Sequence, residues 1–454
     1  MDVIAAIATP AASAGLGVIR LSGQEAVAVA EQVFRPARAG LRLRDMEGYT
    51  ATYGHVFDAD GDVDDGVALV FRAPHSYTGE DTVELSCHGG VYLLQRALRA
   101  CLDAGARPAA PGEFTRRAFL NGKMDLTGAE SVMALIAADG RLAARTALAA
   151  REGSVFRRLQ GVRESLLGVT AQLAAYVDYP DEDIPQLAPE TLAATLRGAL
   201  DTVEALLSTF DAGRVLREGV DTVIVGSPNV GKSTLMNRLA GCERSIVTDI
   251  AGTTRDVVEE TVRLGEVTLR LADTAGIRHS EDAVEAMGVE RARDRMRQAA
   301  LVLAVFDGSR PLTGEDKALA AEAAGANAIA VVNKADRPVT ADVGYLQGLF
   351  DRVVTLSAKD GAGVDELTRA VAAITGVQGL TGAEPVLATE RQRAAAGRCR
   401  DSLQEALAAL EAGMTLDAVT VSVEDAIAAV LELTGERTTE AVVDEVFARF
   451  CVGK

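Results

Sequence analysis

One glycine-rich loop constrains this chain more than any other feature. It reads Gly226-Ser-Pro-Asn-Val-Gly231-Lys232-Ser233 and matches the pattern G-x-x-x-x-G-K-S. An apolar run precedes it (222–225) and a helix-like stretch follows it (234–240). A strand, a glycine loop and a helix in this order form a phosphate-binding loop, in which backbone N–H groups surround phosphate oxygens. We expect Lys232 to reach the β- and γ-phosphates and the Ser233 hydroxyl to bind Mg²⁺.

Three more motifs follow strand-like runs further along the chain. The first run is the alternating segment 267–271, and the other two are the apolar runs 328–332 and 353–356. The motifs are Asp273-Thr274-Ala275-Gly276, Asn333-Lys334-Ala335-Asp336 and Ser357-Ala358-Lys359. The first suits a loop that binds Mg²⁺ through water and senses the γ-phosphate. The second supplies the carboxylate of Asp336, which can accept hydrogen bonds from both N1–H and the 2-amino group of guanine, a donor pair that adenine lacks. The third suits a loop whose backbone N–H reads the guanine O6.

The order of the four motifs carries more weight than any one of them. Each stands at the end of a strand-like run, and the carboxyl ends of parallel strands meet at one edge of a sheet, where nucleotides bind. Since an ordinary turn explains any single motif but not all four, the sequence predicts a GTP-binding site.

The stretch between the loop and the second strand reads Gly252-Thr253-Thr254-Arg255-Asp256, and Thr254 is the candidate to close over Mg²⁺ and the γ-phosphate. Many regulatory GTPases carry a glutamine directly after D-x-x-G to orient the attacking water. Here that position is Ile277, which cannot orient water. Either hydrolysis is very slow or another group takes over. The candidates to orient the water are Glu281, Asp282, Glu285 and Glu290. A role in which these acids only solvate a mobile segment explains them equally well.

Composition limits the other function classes. The chain has 454 residues and a formal net charge of −19, which argues against broad, nonspecific binding to nucleic acid or membranes but leaves room for a local basic patch. The five cysteines form no C-x-x-C pair, and neither a signal pattern nor a membrane-spanning apolar run is present. We therefore expect a cytoplasmic protein without a disulfide framework.

Residue composition and hydrophobic pattern divide the chain into four parts. Residues 1–118 are mixed and predict an α+β domain, residues 119–215 are helical and alanine-rich, residues 216–379 hold the nucleotide motifs, and residues 380–454 are helical again. Helical segments on both sides of a complete nucleotide-binding module favour insertion of that module into one discontinuous helical domain. Two independent helical domains are the alternative.

Several further motifs identify a resemblance. They include Gly17-Val-Ile-Arg20, Tyr77-Thr-Gly-Glu80-Asp, Cys87-His-Gly-Gly90, Pro111-Gly-Glu-Phe-Thr and Arg117-Ala-Phe-Leu-Asn-Gly-Lys123-Met-Asp-Leu, followed by Ile246 to Asp256 and the terminal Phe450-Cys451-Val-Gly-Lys454. Together they cover essentially the whole chain. On these residues the chain resembles the MnmE (TrmE) family of bacterial tRNA-modification GTPases.

The resemblance implies a fold and a set of partners. The fold is multidomain α/β plus α: an N-terminal α+β folate-binding and dimerisation domain, a discontinuous helical domain and an inserted P-loop, Ras-like G domain. The implied activity is GTP hydrolysis by a homodimer. With a flavoprotein partner, MnmG, such proteins add an aminomethyl or carboxymethylaminomethyl group to C5 of the wobble uridine of certain tRNAs. The carbon comes from 5-formyl- or methylene-tetrahydrofolate.

The resemblance also implies site residues. Folate contacts fall on Arg20, Glu80, Lys123 and Lys454. Activation by K⁺ would use oxygens of Asn229, Thr248, Ile250 and Thr253, and Mg²⁺ would bind Ser233 and Thr254. Among the four acids after Ile277, the alignment selects Glu285 to orient water, so that the catalytic residues are Glu285, Asn229 and Lys232. Cys451, in the tail, is either a reactive thiol or a small buried one.

The full set of expected GTP contacts follows these motifs. It comprises Asn229, Val230, Gly231, Lys232, Ser233, Thr234, Thr248, Asp249, Ile250, Ala251, Gly252, Thr253, Thr254, Asp273, Thr274, Ala275, Gly276, Asn333, Lys334, Asp336, Ser357, Ala358 and Lys359. The same nucleotide motifs suit a GTP-switched assembly or binding protein without a direct role in modification, which is the competing hypothesis.

Overall fold

The computed structural model describes residues 2–10, 12–178, 188–241, 260–271 and 296–454. The chain divides into two compact units. The N-terminal unit comprises Met1–Met133 and Val430–Lys454, and the central unit comprises Ala134–Ala429. No helix in these described ranges is long and apolar enough to cross a membrane.

A seven-stranded sheet forms the centre of the N-terminal unit, with strand order β3-β4-β5-β6-β2-β1-β7. Its strands are β1 (Ile4–Ile7), β2 (Ala14–Ser22), β3 (Phe34–Pro36), β4 (Thr50–Asp58), β5 (Gly61–Phe71), β6 (Thr82–Gly89) and β7 (Arg107–Pro108). All neighbours are antiparallel except β1 and β7. On β5, Ala68 and Val70 are buried while Val67 is exposed. This alternation turns one face of the sheet toward the core.

Five of the described helices lie mostly or entirely in the N-terminal unit. They are α1 (Ala26–Glu31), α2 (Val91–Asp103), α3 (Glu113–Leu120), α4 (Leu126–Ile136) and, near the C-terminus, α15 (Glu440–Ala448). Helix α2 buries Leu94, Ala97 and Cys101, the i, i+3, i+7 spacing of an amphipathic helix. After α15 the chain returns to the start of α3, where the Gly112 N–H donates to the Cys451 carbonyl at 3.3 Å. The C-terminal tail therefore lies beside the N-terminal sheet.

The central unit contains helices from both sides of the nucleotide motifs. Before the motifs come α5 (Arg141–Arg151), α6 (Ser154–Asp178), α7 (Pro189–Leu207) and α8 (Phe210–Glu218); after them come α13 (Glu390–Glu411) and α14 (Leu416–Thr434), which ends in the other unit. Helices α7 and α13 pack together, and Arg197 on α7 pairs with Glu411 on α13 at 2.9 Å. The prediction of one discontinuous helical domain with an inserted α/β module is confirmed, and the alternative of two independent helical domains is wrong. The precise boundaries stay a prediction.

The inserted module is built on a six-stranded sheet of order β13-β12-β11-β8-β10-β9. Its strands are β8 (Val220–Val225), β9 (Glu260–Leu264), β10 (Val267–Leu271), β11 (Leu301–Asp307), β12 (Ala328–Asn333) and β13 (Val353–Thr355). Only β9 and β10 pair antiparallel. Helices α9 (Lys232–Ala240), α10 (Gly314–Ala323), α11 (Val343–Gln347) and α12 (Val364–Ile374) accompany the strands. All residues of β11 and β12 are buried, as expected for parallel strands covered on both faces.

The β9–β10 hairpin joins the module to a helix outside it. A carboxylate oxygen of Glu266, in the hairpin turn, accepts from the Leu142 N–H at 2.8 Å. Arg263, on β9, donates to the Asp139 carbonyl at 2.8 Å. The first N–H groups of a helix have no partner within the helix, so Glu266 satisfies one of them at the start of α5.

Candidate functional site

The phosphate loop runs from the end of β8 to the start of α9 with the backbone that its glycines permit. Gly231 has φ +99°, and a Cβ on it would lie 2.3 Å from Asn333 Nδ2. A Cβ on Gly226 would lie 2.5 Å from the Val305 carbonyl oxygen. Asn229 has φ +62°, in the left-handed region that asparagine tolerates better than most residues. The loop is therefore closely packed at both ends, and only glycine fits at positions 226 and 231.

Lys232 lies folded over this loop. Its ammonium donates to the carbonyls of Gly226 at 2.7 Å and Ser227 at 2.9 Å, and burial lowers the pKa of the amine. Ser233 and Thr234 follow it on the first turn of α9 with exposed side chains. A half-buried cation and the N–H groups of a helix start thus lie at the same loop, which favours an anion there.

Asn333 connects the phosphate loop to the predicted guanine-reading loop. Its side chain is almost fully buried: Nδ2 donates to the Val230 carbonyl at 2.9 Å, and Oδ1 accepts from the Ala358 N–H at 3.0 Å. Nearby, the Ser357 hydroxyl donates to Asp336 Oδ1 at 3.2 Å. The structure therefore brings three of the four nucleotide motifs together at the carboxyl edge of the sheet.

Lys334, the next residue, has φ +68°. Its ammonium donates to the Asn229 carbonyl at 2.8 Å and to Asp307 Oδ2 at 2.6 Å. Burial alone would raise the pKa of Asp307, but hydrogen bonds from Lys334 and Ser309 outweigh it and hold that pKa below its usual value. Asp307, at the end of β11, thus stays charged and holds Lys334 under the phosphate loop.

Two residues that the sequence analysis missed support the loops from outside. Arg238 on α9 donates through Nε to the Ala358 carbonyl at 3.0 Å and through a second nitrogen to the Lys359 carbonyl. Asp316, only 1% exposed, accepts from the Ser227 hydroxyl at 2.7 Å and from Arg310 at 2.7 Å. Asp316 has a visible sequence signal, because Thr313-x-x-Asp316 forms a capping box at the start of α10. Arg238 has none.

Some of the predicted contacts lie outside the described residues. They are Thr248, Asp249, Ile250, Ala251, Gly252, Thr253, Thr254, Asp273, Thr274, Ala275, Gly276 and Glu285. Their roles stay predictions.

A second cluster lies in the N-terminal unit around Arg20. Its guanidinium donates to Glu84 Oε1 at 2.9 Å and to the Gly453 carbonyl at 3.2 Å. The Arg20 Cζ lies 5.8 Å from the Tyr77 ring centroid and 5.6 Å from that of Phe114. Arg20 thus connects the sheet, an aromatic pair and the C-terminal tail.

Glu80 lies beside this cluster and is held by a residue to which the sequence analysis gave no role. Its Oε2 accepts from the Ser22 hydroxyl at 2.8 Å and from Arg117 at 2.9 Å. The Arg117 side chain is 5% exposed and also pairs with Glu113 at 3.2 Å and Asp2 at 3.0 Å. Arg117 therefore fixes the orientation of Glu80.

Lys123 and the C-terminal tail complete the predicted folate set. Lys123 Nζ donates to the Pro74 carbonyl at 3.0 Å, in the loop that carries Tyr77 and Glu80. Lys454 directly follows Gly453, whose carbonyl Arg20 contacts. The Lys454 N–H donates to the Cys451 carbonyl at 3.4 Å. Arg20 and Lys123 thus both contact the loop that carries Glu80, and Lys454 follows the residue whose carbonyl Arg20 contacts. Cys451 is exposed, so the alternative of a buried thiol is wrong.

Comparison with known proteins identifies the family of the chain. A family model described as the MnmE helical domain matches residues 126–451, and one described as the N-terminus of the GTP-binding protein TrmE matches residues 3–123. The tRNA modification GTPase MnmE of Symbiobacterium thermophilum is 44% identical over 100% of this chain and 99% of its own length. The proteins of the same name from Geobacillus kaustophilus and Chloroflexus aurantiacus are 41% and 44% identical, again over 100% of this chain and over 99% and 100% of their own lengths. The chain therefore belongs to the MnmE family of tRNA modification GTPases.

Proposed function

We propose that this chain is a K⁺-activated GTPase that works as a homodimer in the cytoplasm. With an MnmG-like FAD protein, it adds an aminomethyl or carboxymethylaminomethyl group to C5 of the wobble uridine of certain tRNAs. The observation that carries the nucleotide part is the pair of hydrogen bonds made by Asn333, which joins the phosphate loop to the loop of Ser357 to Lys359. The tRNA part rests on the family.

The residues at the phosphate loop fit Mg²⁺ and phosphate. The exposed Ser233 hydroxyl, at the start of α9, has no hydrogen-bond partner among the described residues, so this hard oxygen is available to Mg²⁺. Thr254 would provide the second ligand. When bound, the ion neutralises charge that develops on the phosphate oxygens. Lys232 adds its own positive charge, once its ammonium has exchanged its hydrogen bonds to the Gly226 and Ser227 carbonyls for hydrogen bonds to phosphate oxygens.

Asn229 fits a role in binding an alkali cation. Its exposed side-chain amide makes no hydrogen bond within the described ranges, while Lys334 fixes its backbone carbonyl. Oxygens of Thr248, Ile250 and Thr253 would complete the K⁺ site. A cation there stabilises charge at the β/γ bridge, where other GTPases place an arginine. Glu285 would orient the attacking water, because Ile277 has no group that can do so.

The cluster around Arg20 fits a folate. Arg20 and Lys123 are cations suited to the carboxylates of a glutamate tail. Glu80 has one carboxylate oxygen held by Ser22 and Arg117, and its Oε1 has no partner in the part of the chain that the structure describes. That oxygen is available to accept from an amino-pyrimidine edge. Lys454 would close the site from the C-terminal tail.

The decisive experiment compares GTP turnover in KCl and NaCl at equal ionic strength. Wild type should turn over GTP much faster in KCl, and Asn229→Ala should remove that difference. Asn237→Ala, at an exposed asparagine of α9, is the matched control and should keep it. Equal turnover of wild type in both salts would exclude the K⁺ mechanism and favour a catalytic residue supplied by a partner.

A second experiment separates modification from switching. The purified chain is combined with the flavoprotein, tRNA, a tetrahydrofolate, GTP, FADH₂ or NADH and an amine donor, and the wobble uridine is analysed by mass spectrometry. Modified uridine supports the proposal. An unmodified uridine alongside normal GTP turnover would support the GTP-switched assembly protein instead.

A further inference from the structure

One short stretch of the central unit is strongly basic, although the whole chain carries a net charge of −19. Residues 141–163 contain six arginines, no lysine and a single carboxylate, Glu152. They form α5, the turn after it and the first part of α6. In a protein so acidic overall, such a local reversal of charge can direct a polyanion to one place.

Helix α5 presents its arginines on its solvent side. Arg141, Arg145 and Arg151 are exposed, and their spacing places them on the same side of the helix as the partly exposed Leu148. The opposite side is buried through Leu142, Ala143, Thr146 and Ala147. Packing therefore fixes which side of α5 faces solvent.

The turn between the helices extends this surface. Arg157 donates to the Glu152 carbonyl, which holds its guanidinium close to the C-terminal end of α5. Arg158 is exposed beside it. We call the exposed side chains of Arg141, Arg145, Arg151, Arg157 and Arg158 the basic face.

These arginines differ from other exposed arginines of the same unit. Arg197, Arg214 and Arg400 each pair with a carboxylate, at 2.9, 3.7 and 2.7 Å. Within the described ranges, no carboxylate lies within ion-pairing distance of Arg141, Arg145, Arg151 or Arg158. Four guanidinium groups are thus free of ion pairs with the part of the chain that the structure describes.

We propose that the basic face binds the phosphate backbone of RNA, and that it is the surface through which this chain contacts its tRNA. The inference rests on the proposed function for the identity of the polyanion. Arginine suits this role because its planar guanidinium donates two parallel hydrogen bonds to phosphate oxygens. An anionic lipid surface is less well matched, since membrane binding by a helix needs an outward apolar face. The solvent side of α5 carries one large apolar residue, Leu148, among its arginines.

The test measures binding of total bacterial tRNA by the full-length protein over a range of KCl concentrations. The test variant is Arg145→Ala/Arg151→Ala/Arg158→Ala. The control variant is Arg197→Ala/Arg214→Ala/Arg400→Ala, which removes the same charge from exposed, paired arginines. Each phosphate contact contributes roughly 0.7–0.9 to the slope of log Kobs against log salt concentration. We expect the test variant to bind at least about 10-fold more weakly and to lose about 2 from that slope. The control should stay within about twofold of wild type.

Three results would overturn the inference: no tRNA binding by wild type, unchanged binding by the test variant, or equal weakening in both variants, since equal weakening reports net charge alone. Binding to phosphatidylglycerol vesicles is measured on the same proteins. If wild type binds the vesicles as well as it binds tRNA, and the test variant loses vesicle binding, the basic face is assigned to lipid and the inference is also overturned. GTP turnover, measured on the same three proteins, should be unchanged. Selective loss of tRNA binding in a protein that never hydrolyses GTP would support the basic face and contradict the proposed function.

Discussion

Asp316 supports the phosphate loop from outside, and its removal gives a quantitative test of that role. Its carboxylate accepts from the Ser227 hydroxyl, from Arg310, and from both the N–H and the hydroxyl of Thr313. Asp316→Asn keeps the shape of the side chain but replaces one acceptor oxygen by a donor. Because the surrounding groups are donors, the amide must leave at least one of them unpaired.

The pKa of Asp316 gives the size of the effect. Burial alone would raise it, but hydrogen bonds from Thr313, Ser227 and Arg310 lower it from 3.8 to about 2. At about 1.4 kcal/mol per pKa unit, this difference corresponds to roughly 2.5 kcal/mol of stability at neutral pH. The folded-state pKa is the lower one, so the stabilisation is complete above 3.8 and is lost as the pH falls from 3.8 toward 2.

Hydrogen exchange in α10 measures this effect locally, which suits a chain of several domains that need not unfold in one step. At pH 7, Asp316→Asn should lower the protection of α10 amides by up to about 60-fold, the equivalent of roughly 2.5 kcal/mol. The matched control is Asp342→Asn at the exposed cap of α11, where Asp342 accepts from the Tyr345 N–H at 3.0 Å. Asparagine caps a helix about as well as aspartate, so protection of α11 amides should stay nearly unchanged.

The pH dependence provides the second half of the test. Between pH 6 and pH 3, protection of α10 in wild type should fall by more than it does in Asp316→Asn. Only wild type has a carboxylate at position 316, and protonation of that carboxylate in the unfolded state becomes favourable as the pH falls below 3.8. Equal losses of protection at α10 in Asp316→Asn and at α11 in Asp342→Asn would refute the reasoning. So would a difference between wild type and Asp316→Asn that stays constant down to pH 3.

Three further predictions follow from single contacts. Arg238→Ala removes the two hydrogen bonds from Arg238 to the predicted guanine-reading loop, so the Kd for a fluorescent GTP analogue should rise about 10-fold, the value of one to two hydrogen bonds. An unchanged Kd would contradict this, and Asn237→Ala is the control. Gly231→Ala should abolish nucleotide binding in the same titration, because its Cβ would clash with Asn333; binding within threefold of wild type would show that the loop adapts. An iodoacetamide pulse at pH 7.5, read by peptide mass spectrometry, should label the exposed Cys451 far faster than the buried Cys87, Cys101 and Cys399. Burial raises the pKa of Cys87 to about 11 and the pKa values of Cys101 and Cys399 to about 12. Equal labelling would contradict the burial.

The parts of the fold that sequence predicted are those with a local signal. The phosphate loop carries its glycines, lysine and serine within eight positions, and its backbone follows the expected order of strand, loop and helix. The helix begins at Lys232, two residues before the predicted start at Thr234. This shift reflects the loop itself, because Gly231 in the left-handed region ends the turn and lets helical geometry begin at once.

The central strand β11 was not predicted from the sequence, and the reason is physical. All of Leu301–Asp307 is buried, so the strand has no polar residue at alternate positions to show a period of two. A short apolar run of this kind cannot be told from part of a buried helix by its pattern. The half-exposed β10 does alternate, with Val267, Leu269 and Leu271 buried, and the alternation predicted it.

The supporting residues of the sites escaped prediction because their partners are distant in sequence. Arg117 is 37 residues from Glu80, and Arg238 is 120 residues from Ala358. A sequence motif consists of residues that contact the ligand, whereas these residues contact the motif on the side away from the ligand. Their identity depends on packing, which a pattern along the chain does not contain.

The β9–β10 hairpin gives the two halves of the proposed function a physical connection. Residues 242–259, which contain Thr254, lead directly into β9, and β10 leads directly into residues 272–295, which contain Glu285. The turn of the same hairpin caps α5 through Glu266, and α5 carries much of the basic face. Any displacement of the hairpin that accompanies hydrolysis must either move α5 or break this cap, because a hydrogen bond at 2.8 Å tolerates little stretching. Coupling between two sites requires an element that both of them bias. Helix α5 has the position for this, because it touches the nucleotide module at its start and presents arginines to solvent along its length.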